Sequence, residues 1–394
     1  MKRINNIWKD VVNPNDALSA VIDGIRFKRG QREVQWLLYS QEMVAENKSL
    51  WHRIDKDKAM PYAERLCSDL LEHRWTHKPP RYKHQFCQNR TSNHGKWRDI
   101  YIPTLDDHIV AHMVMSASMR AFTRGMHPHC CGSVPKRGIK HVNKTVQRWL
   151  KGDKQCRYFV KLDIKKFFDN IDRDILIQVL ETKIKDRDVL DVFRQIIDSA
   201  PVPCPVGYYT SPWLANLYLE KLDWYVEQQL YKVRRGKRIK YIRHYLRYVD
   251  DILLIGTSKA DLKKAVFEVR KFLREQRKVD IKDSWEIKAI GSHIVDGGKW
   301  KLKPNTYWID ICGYKFCKDS TVMRDGIYLA TKRLVKKMSR AEYYTPHQCL
   351  SLNSRIGWAS HCDSNNFVRN NINPYINIAT TRKVIANVDK VREQ

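Results

Sequence analysis

Three aspartates carry the clearest chemical signal in this chain. Asp163 closes an apolar run, Phe159-Val160-Lys161-Leu162, and Asp250-Asp251 lie between two more, Tyr245-Leu246-Arg247-Tyr248 and Ile252-Leu253-Leu254-Ile255. Adjacent carboxylates held between hydrophobic strands are costly unless a positive charge offsets them. Magnesium suits that role, because it takes oxygen ligands and keeps room in its shell for water and phosphate oxygens. Two such ions about 3.5–4 Å apart clamp an in-line phosphoryl displacement. One lowers the pKa of the attacking hydroxyl and the other stabilises charge on the departing pyrophosphate. The plainer reading of Asp250-Asp251 is a solvated turn. Its position between two apolar strands, downstream of a second acidic strand end, favours the metal reading.

A sheet must bring these residues together. Tyr158 to Ile164 reads as a strand, and His244 to Ile255 as a hairpin with a tight turn near Val249-Asp250-Asp251. Helices are expected over 173–199, over Ser211 to Leu230 after the Pro201, Pro203, Pro205 break, and over Lys259 to Arg274. Upstream, residues 15–75 read mostly as helix, from the spacing of Ala17, Val21, Ile22 and Ile25 and of Val34, Leu37 and Leu38. A strand pair over 81–103 turns at Asn93-His94-Gly95. Leu105 to Met126 and a basic amphipathic stretch from Ile139 to Lys151 are helical. Short strands follow at 285–289 and 307–316, and the chain from Thr331 is mainly helical and basic. This order predicts an α+β fold with an antiparallel central sheet.

Composition narrows the partner. Lys and Arg number 73 against 43 Asp and Glu, a net charge of +30. Such a surplus calls for a polyanion, with salt-sensitive affinity from counterion release. The cations are interleaved with aromatic residues, as in Arg81-Tyr82-Lys83 and Lys96-Trp97-Arg98, and cluster again over Tyr231 to Arg247. That last stretch reads either as a nucleic-acid-binding site or as a basic hairpin without a specific role. Ten cysteines show no CxxC spacing, and His127-Pro128-His129-Cys130-Cys131 reads as packing, since adjacent ligands cannot easily close one tetrahedral site. With no apolar signal core and no membrane-length run, the expectation is a cytoplasmic protein with reduced thiols and no membrane partner.

With these residues in view, the sequence resembles the reverse transcriptases of bacterial retroelements. Leu162-Asp163-Ile164-Lys165-Lys166-Phe167-Phe168-Asp169 is similar to the family's first catalytic motif. Gly207 to Leu219, containing Ser211-Pro212-Trp213-Leu214-Ala215-Asn216, is similar to its second, and Tyr248-Val249-Asp250-Asp251 to its YxDD motif. Fainter likenesses lie in Gly95 to Pro103, Gly132 to Gly138, Ile311 to Phe316 and Ser354 to His361. The resemblance implies a right-hand polymerase: an N-terminal helical region at 1–78, fingers at 79–155, palm at 156–320, and thumb with tail at 321–394. It implies RNA-directed DNA polymerase activity with two Mg²⁺ ions, Mn²⁺ being an alternative. Asp163, Asp250 and Asp251 would be catalytic metal ligands, and Ile164 would lend a backbone carbonyl. Lys96, Arg98, Phe168, Val206 and Gly207 would meet the nucleotide, with Phe168 as the steric gate against a ribose 2′-OH. Tyr209, Ser211, Pro212, Asn216, Tyr248, Gly313 and Tyr314 would meet template or primer. Either Lys282 or Lys288 stands near the family's proton-donating lysine.

Val206 departs from the glutamine of many relatives, which implies either relaxed base selection or simple packing. Ser211-Pro212 departs from the Ser-Gln of most diversity-generating enzymes. The expected setting is therefore an anti-phage defence system, encoded by a bacterium or phage, that copies a dedicated structured non-coding RNA into cDNA from dNTPs. The alternatives are the polymerase of a diversity-generating retroelement and, in another class, a non-catalytic RNA-binding scaffold. Residues 1–75 carry no readable motif. They are candidates for contact with the RNA, with an accessory protein or with a second copy of the chain.

Overall fold

The computed structural model describes residues 3–26, 28, 31–39, 55–88, 95–296 and 299–393. At its centre is a five-stranded sheet in the order β3-β7-β8-β4-β9: Cys130–Cys131, His244–Tyr248, Asp251–Gly256, Tyr158–Asp163 and Lys288–Ala289. All its pairings are antiparallel except β3 with β7. The apolar strands read as continuous because both faces are covered. Val160, Leu162, Tyr245, Ile252 and Leu254 enter the main core, while Phe159, Leu246, Leu253 and Ile255 enter a second core on the opposite face. This is the period-two alternation of a strand, directed into two apolar layers.

The main core is completed by helices Pro14–Ile25, Lys56–Leu71, Leu105–Thr123, Ser211–Tyr218 and Lys259–Arg277. Leu105–Thr123 is buried on nearly every side, and Thr104 caps it by accepting from the Asp107 amide. The second core lies under helix Ile139–Gly152 and a three-stranded sheet of β12 (Ile309–Ile311), β13 (Tyr314–Phe316) and β14 (Thr321–Met323). Helices Asp325–Met338, Pro346–Ala359, Asn365–Asn371 and Ile378–Glu393 form the C-terminal array. Three two-stranded hairpins stand apart: β1–β2 (Arg81–Gln88, Gly95–Ile102), β5–β6 (Tyr231–Arg234, Lys237–Lys240) and β10–β11 (His293–Asp296, Lys299–Leu302).

The α+β expectation holds, with local corrections. The expected helix at 173–199 is two helices, Arg173–Glu181 and Arg187–Asp198. Between them Ile184 bridges to Ile4, and the Asp186 carboxylate accepts the Trp8 amide at 3.2 Å, so an N-terminal segment claims the backbone there. The expected helix from Ser211 to Leu230 breaks at Leu219 into Ser211–Tyr218 and Glu220–Gln229. The β10–β11 hairpin and β14 were not anticipated. Asn93 and His94, expected in a turn, lie outside the described residues; Gly95 opens β2.

Candidate active site

The pairing register sets the geometry. Asp163, last in β4, sits directly opposite Asp251, first in β8. Side chains opposite one another on an antiparallel pair share a face, with Cβ atoms about 4.5–5.5 Å apart. Asp250 lies beside them in the two-residue turn joining β7 to β8. Val249, the first turn residue, takes φ +57°, an uncommon conformation for a β-branched residue. Its amide donates to the Cys131 carbonyl at 3.1 Å, and its own carbonyl accepts from Arg247 Nη1 at 2.8 Å.

Arg247 is the buried anchor of this turn. Its guanidinium is fully buried and makes a two-pronged pair with Asp223, Nε to Oδ1 and Nη2 to Oδ2 at 2.7 Å each. Asn216 Oδ1 accepts from Nη1 at 3.0 Å. Tyr245 donates its hydroxyl to the same Asp223 carboxylate. The strained turn is thus held from below by a hydrogen-bonded charge pair.

The carboxylates repel one another. Burial, then the neighbouring Asp251 and Asp163 charges, push Asp250 up to about 6, against a pull downward from Lys96. Burial and Asp163 raise Asp251 as well, opposed by Lys161. Lys282 Nζ lies 2.9 Å from Asp163 Oδ2. A set of three carboxylates so crowded is an oxygen-donor site suited to hard divalent cations.

Other elements wall the site. Alternation on β1–β2 puts Lys83, Lys96 and Arg98 on one face and Tyr82, His84, Phe86, Trp97 and Tyr101 on the other. Lys96 is near enough to Asp250 for its charge to be felt. Ile100 bridges to Val206, and the Tyr101 amide donates to the Val206 carbonyl at 2.8 Å, so the hairpin is pinned to the proline-rich loop. Gly207, at φ +116°, has no room for a Cβ, which would fall 2.2 Å from the Tyr101 carbonyl oxygen. The close approach at Gly207 is therefore to the hairpin backbone. Phe168 is half-buried, its ring 5.5 Å from buried Phe167, and Ile164 is buried and bridges to Ile281. The two-residue turn Cys312-Gly313, joining β12 to β13, sits near Asp251, whose charge reaches the Cys312 thiol.

Several residues expected at template or primer have other partners. Ser211 is buried, its hydroxyl donating to the Pro205 carbonyl at 2.7 Å. Asn216 is fully buried between Arg247 and the Gly132 carbonyl, to which it donates at 2.8 Å. Tyr314 is buried, with its hydroxyl on the Trp358 carbonyl, and Gly313 faces the Trp358 ring. Within the fold, these four are engaged by neighbouring residues. Tyr209 is half-buried and stacked on His112 at 3.6 Å, while Pro212 and Tyr248 are half-buried. Lys288 is engaged by Glu286 at 3.0 Å, whereas Lys282 meets Asp163. Sequence reasoning missed Arg247 and Asp223. The available signal was an arginine in the middle of a strand with apolar neighbours on both sides.

The chain is similar to several known proteins. The Lactococcus lactis group II intron-encoded protein LtrA is 31% identical over 36% of this chain and 25% of its own length, so the chain spans a quarter of that relative. The Escherichia coli retron Ec73 reverse transcriptase is 24% identical over 70% of this chain and 83% of its own. Apo telomerase from Candida tropicalis, 10% identical, aligns over 80% of this chain and 62% of its own with a TM-score of 0.46. Residues 82–284, just over half of the chain and the span that contains all three aspartates, match the family described as reverse transcriptase (RNA-dependent DNA polymerase). The chain belongs to that family, and its α+β architecture is a right-hand polymerase fold.

Proposed function

We propose that this chain is an RNA-directed DNA polymerase that copies RNA into cDNA by two-metal nucleotidyl transfer. The observation that carries the reading is the register placing Asp163 opposite Asp251, with Asp250 in the adjoining turn. Asp163, Asp250 and Asp251 would hold two Mg²⁺ or Mn²⁺ ions, which when bound activate the primer hydroxyl and stabilise the pyrophosphate. The chain's own residues do the rest. Lys96 and Arg98, on the basic face of β1–β2, grip the triphosphate through charge-assisted hydrogen bonds. Phe168 screens the sugar position against a 2′-OH. Lys282, already within hydrogen-bond reach of Asp163, is the proton donor for the leaving pyrophosphate. The exposed aromatic face of β1–β2, with Tyr82, Phe86 and Trp97, offers rings on which template bases stack.

In this reading residues 79–155 are fingers, 156–320 palm and 321–394 thumb, with 1–78 as a helical region preceding them. The RNA is a dedicated structured one, the setting anti-phage defence, and the compartment the cytoplasm. No described helix is long and apolar enough to cross a membrane. Ser211-Pro212 supports defence over a diversity-generating role. The test is primer extension on an RNA template with dNTPs and Mg²⁺, beside sequencing of the nucleic acid that co-purifies. cDNA product that vanishes in Asp163→Asn is expected. Absence of product with any primer or co-purified RNA would return the chain to an RNA-binding scaffold. Recovery of a template repeat paired with a variable gene would move it to the diversity-generating class.

A further inference from the structure

Away from the aspartates, three metal-ligating side chains meet where the β10–β11 hairpin touches the turn between β13 and β14. His293 opens β10, and Cys317 and Asp319 flank Lys318 in that turn. Asp319 Oδ1 lies 2.9 Å from both His293 Nδ1 and Cys317 Sγ, and Sγ lies 3.7 Å from Nδ1. Ser320 Oγ closes a fourth corner, 3.3 Å from Sγ and 3.4 Å from Nδ1.

These lengths resemble the edges of a coordination polyhedron. Ligands about 2.0–2.3 Å from a tetrahedral zinc are about 3.3–3.6 Å from one another, so shifts of a few tenths of an ångström would seat the ion. The arrangement is not that of a nucleophile with its base. There the histidine uses one ring nitrogen for the nucleophile and the other for the orienting acid, whereas here Cys317 and Asp319 both meet Nδ1. Charge also favours a cation. Among the described residues Asp319 pairs only with His293 and with no lysine or arginine. A comparable trio, Asp153, Cys156 and His244, differs on this point: Arg243 Nε already donates to Asp153 Oδ2 at 3.0 Å. Surroundings support the ligand set as well. Cys317 is buried, the Trp308 ring packs edge-on against His293 at 5.3 Å, and the His293 amide donates to Asp319 Oδ2 at 2.7 Å.

We propose that His293 Nδ1, Cys317 Sγ and Asp319 Oδ1 bind one zinc ion, with Ser320 Oγ or a water completing the tetrahedron. Binding converts the Cys317 thiol to thiolate and releases its proton to solvent. The ion would fasten the β10–β11 hairpin to the three-stranded sheet, a structural role separate from the catalytic ions and independent of the polymerase reading.

The test is metal uptake by the full chain. Chelator-treated protein is dialysed against Zn²⁺ with Mg²⁺ in excess to occupy the carboxylate site, and bound zinc is counted by elemental analysis. One zinc per chain is expected in the wild type and none in Cys317→Ser or His293→Ala. Exposed Asp319→Asn, which disturbs no core packing, should weaken uptake, and circular dichroism checks that each variant is folded. Co²⁺ in place of zinc should give the intense visible d–d bands of a tetrahedral site and a thiolate charge-transfer band that Cys317→Ser removes. Equal zinc in wild type and in folded Cys317→Ser, or cobalt spectra without thiolate character, would overturn the assignment.

Discussion

Asp250 shows what the site costs the protein. Its folded-state pKa is raised from 3.8 to about 6 by burial and by its acidic neighbours. A carboxyl raised in this way destabilises the folded state at pH values above its folded pKa, and the penalty is relieved as pH falls through that value. In chelator at neutral pH, Asp250→Asn should therefore stabilise the chain by on the order of 1–3 kcal/mol, read by thermal melting. The same change should cut primer extension at least about a hundredfold. A variant that melts lower and keeps extending would contradict both halves. Arg247 predicts the reverse behaviour. Truncating it to Ala leaves Asp223 buried without a counter-charge, and unfolding free energy should fall by about 3–5 kcal/mol in a denaturant titration. Replacing the pair together, Arg247→Met with Asp223→Leu, should recover part of that loss. The meeting of the three aspartates was legible because the apolar runs around them read as neighbouring strands of one sheet. The Arg247–Asp223 pair was not, since in a chain with so many cations one more arginine looks like surface. Nor was the positive φ of Val249, at a position where turn chemistry favours Gly or Asn.

Among elements, the β5–β6 hairpin has a position its sequence could not convey. It leads into the start of β7, and β7 runs from there toward the Val249-Asp250 turn, so the hairpin stands at the far end of the sheet from the aspartates. Lys232 and Lys240 are paired with Asp261 and Glu227, which leaves Arg234, Arg235, Lys237 and Arg238 exposed on the hairpin, Arg238 over the Tyr231 ring. Phosphates held here would belong to RNA outside the catalytic cleft. Changing all four to Ala should lower the slope of log affinity against log salt by about 3 for single-stranded RNA, while short primer extension proceeds at its usual rate. An unchanged slope would leave the hairpin without an RNA contact. Strand and hairpin identities came through from alternation alone, as on β1–β2. The helix boundary at 182–186 did not, because the long-range partner Ile4 imposes it, and local periodicity carries no record of such a partner.

Across the molecule, Trp358 joins the second core to the C-terminal helices. Its ring fills the space a side chain at Gly313 would need, lies 5.0 Å from the Tyr314 ring, and packs against both the second core and the C-terminal cluster. Trp358→Ala should cost about 2–4 kcal/mol at this half-buried position and split the thermal transition, with helices 325–393 melting first. A single unshifted transition would show that other contacts hold the C-terminal helices in place. The net charge of +30 pointed to a polyanionic partner from composition alone, yet nothing in the sequence marked Trp358 as the seam. Its aromatic partner Tyr314 lies 44 residues away and meets it only in three dimensions. The two-residue turn between β7 and β8 has a last consequence, for how such a chain can vary over evolutionary time. Strand side chains alternate sides with every residue, so a one-residue slip of β8 against its neighbours would send Asp251 through to the opposite layer. Lineages can therefore exchange side chains around the turn freely only while the pairing of β8 is kept.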